Sequence, residues 1–272
     1  MATPTLTTQW LAETRTRGPL VHHLTNLVTI NDCANITLCI GASPVMSDSV
    51  EEADQLTALA SALVLNMGTL KPVQVEAMLK AGAVAHTHSL PIVFDPVGAG
   101  ATAYRRETAQ KIMNEVKPSI VKGNLAEIKF LAGWESRQKG VDSLDGGDDA
   151  AAVSLALARK YTCVVAATGV IDYVSDGTVV YSVSGGRAEL GRVTGTGCMT
   201  ASLVASLAGA GADPLTAAIL GILVMNRAGE ISGGTDRALV AMGQFRIGLF
   251  DAIANLRDED LMTADRVHLV QL

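Results

Sequence analysis

Five short β-rich apolar runs punctuate this chain: Leu20–His23, Ala62–Asn66, Ile92–Asp95, Ile120–Lys122 and Thr162–Thr168. Several are continuous rather than alternating, so both faces of each strand must be buried, as in a parallel sheet covered by helices. Longer helical patterns separate them. Strand–helix alternation of this kind implies right-handed crossovers and an α/β architecture. Nothing else in the sequence narrows the fold as far.

Local signals fill in the elements. Tyr173–Ser175 and Val179–Val183 flank Asp176-Gly177, a hairpin dipeptide. Ser49 and Glu52 have capping-box spacing ahead of Leu56, Leu59, Ala60 and Leu63. Pro72 occupies a first helical position before Val75, Met78, Leu79 and Gly82. Asp213 before Pro214 opens a helix to about Arg227, and a last helix is expected over Gln244–Leu256. The Gly-Gly-Asp-Asp stretch at 146–149 is the one linker signal, and it is short. A single domain over residues 1–272 is therefore expected.

Composition removes several classes of function. A net charge of −6, with no basic run, argues against a nucleic-acid partner, because phosphate-backbone binding needs a basic footprint. Cys33, Cys39, Cys163 and Cys198 form no CxxC pair and no zinc-like spacing with histidine, which suits a reduced compartment such as the cytoplasm. The start, MATPTLTTQW, lacks the basic and apolar stretches of a signal peptide. The apolar region Met199–Met225 is cut by Asp213-Pro214, and neither piece is expected to reach the roughly 20 residues of a membrane span.

Four segments could carry chemistry. In Arg192-Val-Thr-Gly-Thr-Gly-Cys-Met-Thr200 a strand is expected to run into Gly195 and Gly197 and then a small-residue helix. Backbone N–H groups freed there suit an oxyanion or phosphate. Cys198, in the first turn, is expected to have its thiol pKa lowered and could act as a base; the other reading is that Gly195 and Gly197 make a tight turn and Cys198 is a small buried residue. In Val93-Phe-Asp-Pro-Val-Gly-Ala-Gly-Ala101, Asp95 ends a buried strand, where a carboxylate can hold Mg²⁺; taken alone, Asp95-Pro96 reads first as the opening of a turn. The same glycines invite a dinucleotide-binding reading, although the third glycine is missing and Pro96 intervenes. In Val121-Lys-Gly-Asn-Leu-Ala-Glu-Ile128, Lys122 could reach phosphate or lie solvated at the strand end, while Glu127 could serve a metal or close a capping box with Asn124. Thr168, at the end of Ala166-Ala-Thr168, could bond phosphate or cap the next turn. All these positions are expected at strand ends along one sheet edge, an arrangement suited to phosphoryl transfer.

The chain resembles the hydroxyethylthiazole kinases of thiamin salvage, in the ribokinase-like group. Six segments carry the likeness: Pro19–Asn26, Gly41–Met46, Leu65–Thr69, Asp95–Thr102, Lys122–Glu127 and Val193–Cys198. The resemblance implies a ribokinase-like three-layer α/β/α fold with a mainly parallel central sheet. It implies ATP-dependent phosphorylation of the primary hydroxyl of 4-methyl-5-(2-hydroxyethyl)thiazole, with Mg²⁺. Asp95 and Glu127 would organise the metal, and Lys122, Thr168 and Gly197 the ATP phosphates. Gly195 and its neighbours would form an anion hole at the substrate, Cys198 would lie beside the substrate hydroxyl, and Asn26, Met46 and Gly68 would surround the thiazole. A homotrimer with pockets between subunits is implied too. Lys122 stands where that family commonly has arginine, which removes a bidentate fork. A kinase for another small alcohol such as hydroxymethylpyrimidine, a nicotinamide-dependent oxidoreductase, and a non-catalytic thiazole- or nucleotide-binding protein are the alternatives.

Overall fold

The computed structural model describes residues 9–134, 147–234, 240–261 and 265–272. Its strands are β1 (Leu20–Leu24), β2 (Ser43–Met46), β3 (Ala62–Asn66), β4 (Ile92–Asp95), β5 (Ile120–Asn124), β6 (Val164–Thr168), β7 (Asp172–Ser175), β8 (Val180–Val183) and β9 (Val267–Leu269). Its helices are α1 (Trp10–Arg17), α2 (Ile30–Ile40), α3 (Ala53–Leu59), α4 (Pro72–Thr87), α5 (Ala103–Lys111), α6 (Leu125–Ala132), α7 (Gly147–Tyr161), α8 (Thr196–Gly209), α9 (Pro214–Gly233), α10 (Met242–Asn255) and α11 (Asp258–Leu261).

The strands form one sheet in the order β2-β1-β3-β4-β5-β6-β7-β8-β9. Pairing is parallel from β2 through β6 and antiparallel from β6 to β9. Successive residues of the parallel strands serve opposite cores, which is why their sequences are continuously apolar. Val64 and Val93 pack with Ile36 and Ile40 of α2 and with the apolar faces of α8, α9 and α10. Their neighbours Leu63, Leu65 and Phe94 pack instead with Ala77, Met78 and Ala81 of α4 and with Ile128 of α6. The result is the expected three layers.

Several local expectations are corrected. Ser49 and Glu52 make no capping box: Ser49 Oγ donates to Glu51, and Glu52 accepts from Ser47 Oγ. The helix therefore begins at Ala53 without a side-chain cap and ends at Leu59, while Leu63 belongs to β3. The linker signal fails at 147–149, which start α7; position 146 lies outside the described residues. No strand leads into Gly195, because a 3₁₀ turn over Ala188–Arg192 takes its place. Asp213 does cap α9, accepting from the N–H groups of Leu215 and Thr216, but that helix runs on to Gly233. It thereby reaches 20 residues and is long and apolar enough to cross a membrane by composition; 67% of its apolar window is buried inside the fold. Packing on the sheet accounts for that character.

Candidate active site

Strand order decides where a ligand can sit. β1 pairs with β2 on one side and with β3 on the other, and the helices that follow β1 and β3 cover opposite faces. A crevice opens at the carboxyl ends of strands where the winding reverses in this way. Asn26 lies just past β1, Asn66 closes β3 and Asp95 closes β4, so all three reach that crevice.

Asn66 is the hub. Its Nδ2 donates to Asp95 Oδ2 at 2.8 Å and to Cys198 Sγ at 3.2 Å. Its Oδ1 accepts from Asn26 Nδ2 at 2.9 Å and from the Gly68 N–H at 2.9 Å. Both hydrogens and both lone pairs of the amide are used, and turning it over would aim oxygen at a carboxylate. Asn26 also donates to Cys198 Sγ, at 3.3 Å, and its own Oδ1 accepts from the Val28 and Thr29 N–H groups. Gly68 must be glycine at this contact, since a Cβ there would lie 2.4 Å from Asn26 Cβ. Thus Asn26, Gly68, Asp95 and Cys198 meet in one network.

Electrostatics in the cluster differ from expectation at Cys198. Although it sits in the first turn of α8, burial pushes its thiol pKa up, and the nearby Asp95 charge adds to that. The thiol is therefore the resting form at neutral pH, contrary to the lowered pKa expected from the helix end alone. Desolvation outweighs the helix-end effect here. Asp95 is raised to about 6, first by burial; Lys122 opposes the rise and Glu127 adds to it.

A second group of residues gathers around the start of α8. Gly195 is the N-cap with φ of +88°, and no side chain caps the helix. The first-turn N–H groups are left pointing at the cleft, where the helix end favours an anion. A Cβ on Gly195 would stand 2.5 Å from Thr29 Cγ2, so the turn also needs close approach. The side chain of Lys122 is buried and has no ion pair among the described residues. Its Nζ would lie 3.0 Å from a Cβ on Gly197. Lys122, Thr168, Gly197 and Asp172 line a cavity of about 250 Å³. Thr168 Oγ1 donates to the Gly123 carbonyl at 3.2 Å. Thr168 does not cap the following turn, which is held by Asp172 accepting the Gly169 N–H.

Glu127 does close the capping box with Asn124, and its other oxygen accepts the Gly98 N–H at 2.9 Å. It is thus spent on backbone while still charging the Asp95 loop. Among the described residues no three His, Cys, Asp or Glu side chains cluster as a ready-made metal cage. Two hard carboxylates beside a phosphate-sized anion site nonetheless fit Mg²⁺, which keeps several waters and takes most remaining ligands from phosphates.

Met46 ends the edge strand β2, at the same sheet edge but one strand outside the Asn26–Asn66 pair. His22 and His23 are consumed inside the fold, His22 by Thr57 and the Ser47 carbonyl, His23 by the Val21 carbonyl and Ser202. The Val97–Ala101 glycines make no dinucleotide cradle. In this loop the N–H groups of Val97, Ala99 and Ala101 go to the Asp95, Pro96 and Gly98 carbonyls, and that of Gly98 goes to Glu127.

Sequence reasoning gave no role to Asn66, Thr29, Asp172 or Asn226. Asn66 was visible as a polar residue at the end of an apolar strand, a signal shared with Asp95. Asp172, with Oδ2 accepting from Asn226 Nδ2 at 3.0 Å, had no comparable mark.

Comparison with known proteins identifies the family. Residues 11–259 match the model of the hydroxyethylthiazole kinase family. A hydroxyethylthiazole kinase of Alkaliphilus oremlandii (strain OhILAs) is 44% identical over 258 residues, covering 94% of this chain and 95% of that one. One from Clostridium beijerinckii is 46% identical over 252 residues, covering 90% and 91%. The solved hydroxyethylthiazole kinase structure from Pyrococcus horikoshii OT3 superposes with a TM-score of 0.88 at 36% identity, over 97% of this chain and 98% of that one. A Staphylococcus aureus pyridoxal kinase in complex with ADP, only 14% identical, shares the fold at a TM-score of 0.62 over 83% of this chain and 93% of that one. The fold is ribokinase-like, and with near-complete coverage at these identities the chain belongs to the hydroxyethylthiazole kinase family.

Proposed function

We propose that this protein transfers the γ-phosphoryl group of ATP to the primary hydroxyl of 4-methyl-5-(2-hydroxyethyl)thiazole. One observation carries the residue assignments: Asn66 joins Asp95 to Cys198 at the mouth of an uncapped helix start that also faces buried Lys122. Phosphoryl transfer is mostly positioning and charge neutralisation, and these groups supply both.

In this reading the thiazole lies against Asn26, Met46 and Gly68, with its hydroxyl beside Cys198. The triphosphate occupies the cavity lined by Lys122, Thr168 and Gly197, with its terminal phosphate at the Gly195 turn. The hydroxyl oxygen forms a bond to the γ-phosphorus as the bond to the departing ADP oxygen breaks. Its proton ends on ionised Asp95, with the neutral Cys198 thiol able to pass it on only by giving up its own. Asp95, with a pKa of about 6, is the member of that pair ionised at pH 7. Asp95 and Glu127 would hold hydrated Mg²⁺, whose contribution when bound is to shield phosphate charge.

The domain is taken as one unit over residues 1–272, working in the cytoplasm on small molecules, without nucleic acid or membrane. Free cysteines throughout the described residues support a reducing compartment. A homotrimer with pockets between subunits is part of the proposal. Leu27 and Val28, exposed at 56% and 64% immediately after Asn26, support a partner covering that edge.

The test is ADP release together with phosphorylated product from ATP and Mg²⁺, for the thiazole alcohol and for hydroxymethylpyrimidine. Preference for the pyrimidine would move the assignment to the rival kinase. ADP from neither alcohol would leave only a binding role. The family match and the spent Gly98 loop disfavour the oxidoreductase.

A further inference from the structure

Arg105 is a half-buried cation with no carboxylate partner among the described residues. It lies in the first turn of α5, behind the loop that follows Asp95, where helix pattern alone would mark it as solvated surface. Its guanidinium instead donates to three backbone carbonyls. Nη1 reaches the carbonyls of Met67 and Val97, the latter at 2.7 Å, and Nη2 reaches that of Gly68. Met67 and Gly68 belong to the loop after β3, whereas Val97 belongs to the loop after β4. One side chain therefore bridges the loop that carries the alcohol contact and the loop that carries the metal carboxylate.

That bridge complements Asn66. Asn66 ties the same two loops from the cleft side, through the Gly68 N–H and Asp95 Oδ2; Arg105 ties them from behind, through their carbonyls. Among the described residues the side chain of its neighbour Arg106 bonds the Gly100 carbonyl alone, on one loop. A planar fork with donors in fixed directions can hold both loops at once, and a lysine ammonium cannot reproduce that geometry.

We propose that Arg105 is a positioning residue for phosphoryl transfer, setting the distance between the alcohol at Gly68 and the phosphate-bearing side at Asp95. The proposal rests on the kinase reading above. A misplacement of about 1 Å between reacting groups can cost roughly 100-fold in rate, so a loosened bridge is felt in turnover rather than in nucleotide affinity.

The experiment compares wild type with Arg105→Lys and Arg105→Gln, measuring kcat, both KM values, ADP formed per phosphorylated alcohol, and thermal unfolding. The expected result is a fall in kcat of roughly ten-fold or more, with KM for ATP held within about two-fold. ADP formed per product should rise, because water reaches the phosphorus that the displaced alcohol no longer blocks. A lowered unfolding midpoint with wild-type kcat and coupling in the folded enzyme would reduce Arg105 to a structural role and overturn the proposal. Unchanged behaviour of both variants would overturn it as well. Inactive wild type would instead sink the kinase reading, and the proposal with it. Should Arg105→Gln fail to fold, Arg105→Lys alone decides, since it keeps the charge and loses only the fork.

Discussion

Asn66 and Cys198 meet across 3.2 Å, the amide donating to sulfur while its other hydrogen goes to Asp95. A carboxylate and a thiol that would otherwise be free to rearrange are thereby held at fixed positions by one planar group. Asn66→Ala should cut turnover by roughly 100-fold, because it releases Asp95, Cys198, Asn26 and the Gly68 loop together. Asn66→Asp should be no better, since it places a second carboxylate against Asp95. Steady-state kinetics on folded variants check this; near-normal turnover in Asn66→Ala would show that the hub is ornamental.

Removing the sulfur tests a narrower point. Cys198→Ala should slow turnover by roughly 10- to 100-fold while ATP binding stays near wild type, because the proposed function puts the thiol on the alcohol side of the cleft. Since burial raises its pKa, the thiol is not a pre-formed thiolate. The wild-type rate should therefore track Asp95 ionisation, rising through about pH 6. An undiminished rate in the variant would remove Cys198 from the reaction.

Continuous apolar runs made the parallel core legible because double burial leaves a pattern in consecutive residues. Ala62–Asn66 and Ile92–Asp95 were located to the residue for that reason. β2 was missed because Ser43-Pro44 reads as loop, and only an edge strand tolerates a proline there. β9 has three residues, too few for any period. Within the site, Asp95, Lys122 and Cys198 were legible from their place beside strand ends or glycines. Asn66 and Arg105 were not, because their roles depend on partners 132 and 38 positions away, respectively, which only the folded chain brings close. The pKa of Cys198 was misjudged for a related reason: sequence shows the helix start and cannot show the depth of burial.

Lys122 should answer for the nucleotide. It is buried beside Gly197 at the uncapped start of α8, and in the proposed function its counter-ion is phosphate. Lys122→Met should raise KM for ATP by roughly 10- to 100-fold, the loss of one charge-assisted contact, with much less change in KM for the alcohol. Gly197→Ala should act in the same direction more weakly, since its Cβ would stand 3.0 Å from Nζ and displace the flexible end of the side chain. Equal effects on both KM values would place Lys122 outside the triphosphate cavity.

Asp95 offers a test that needs no substrate. Its pKa is about 6 in the folded chain against an ordinary 3.8, so the folded state holds its proton more tightly than the unfolded state. Below about pH 4 both states are protonated and the group contributes nothing; between pH 4 and 6 its ionisation progressively costs stability; above about 6 the whole penalty is present. Asp95→Asn stays neutral while keeping an oxygen for the Asn66 amide. It should therefore be more stable than wild type at pH 7 by about 1–3 kcal/mol, the order implied by a shift of roughly two pKa units. That corresponds to a rise of several degrees in unfolding midpoint, and the gain should fade toward zero as pH approaches 4. Phosphoryl transfer by the variant should be largely lost, because the carboxylate that the proposed function assigns to Mg²⁺ and to the proton is gone. Urea unfolding at pH 7 and near pH 4 separates the outcomes. A variant less stable than wild type at pH 7, or one whose gain persists unchanged at low pH, would mean that Asp95 is not a strained, desolvated carboxylate. Stability and activity moving in opposite directions at one residue is the behaviour expected of a group whose burial serves the reaction rather than the fold.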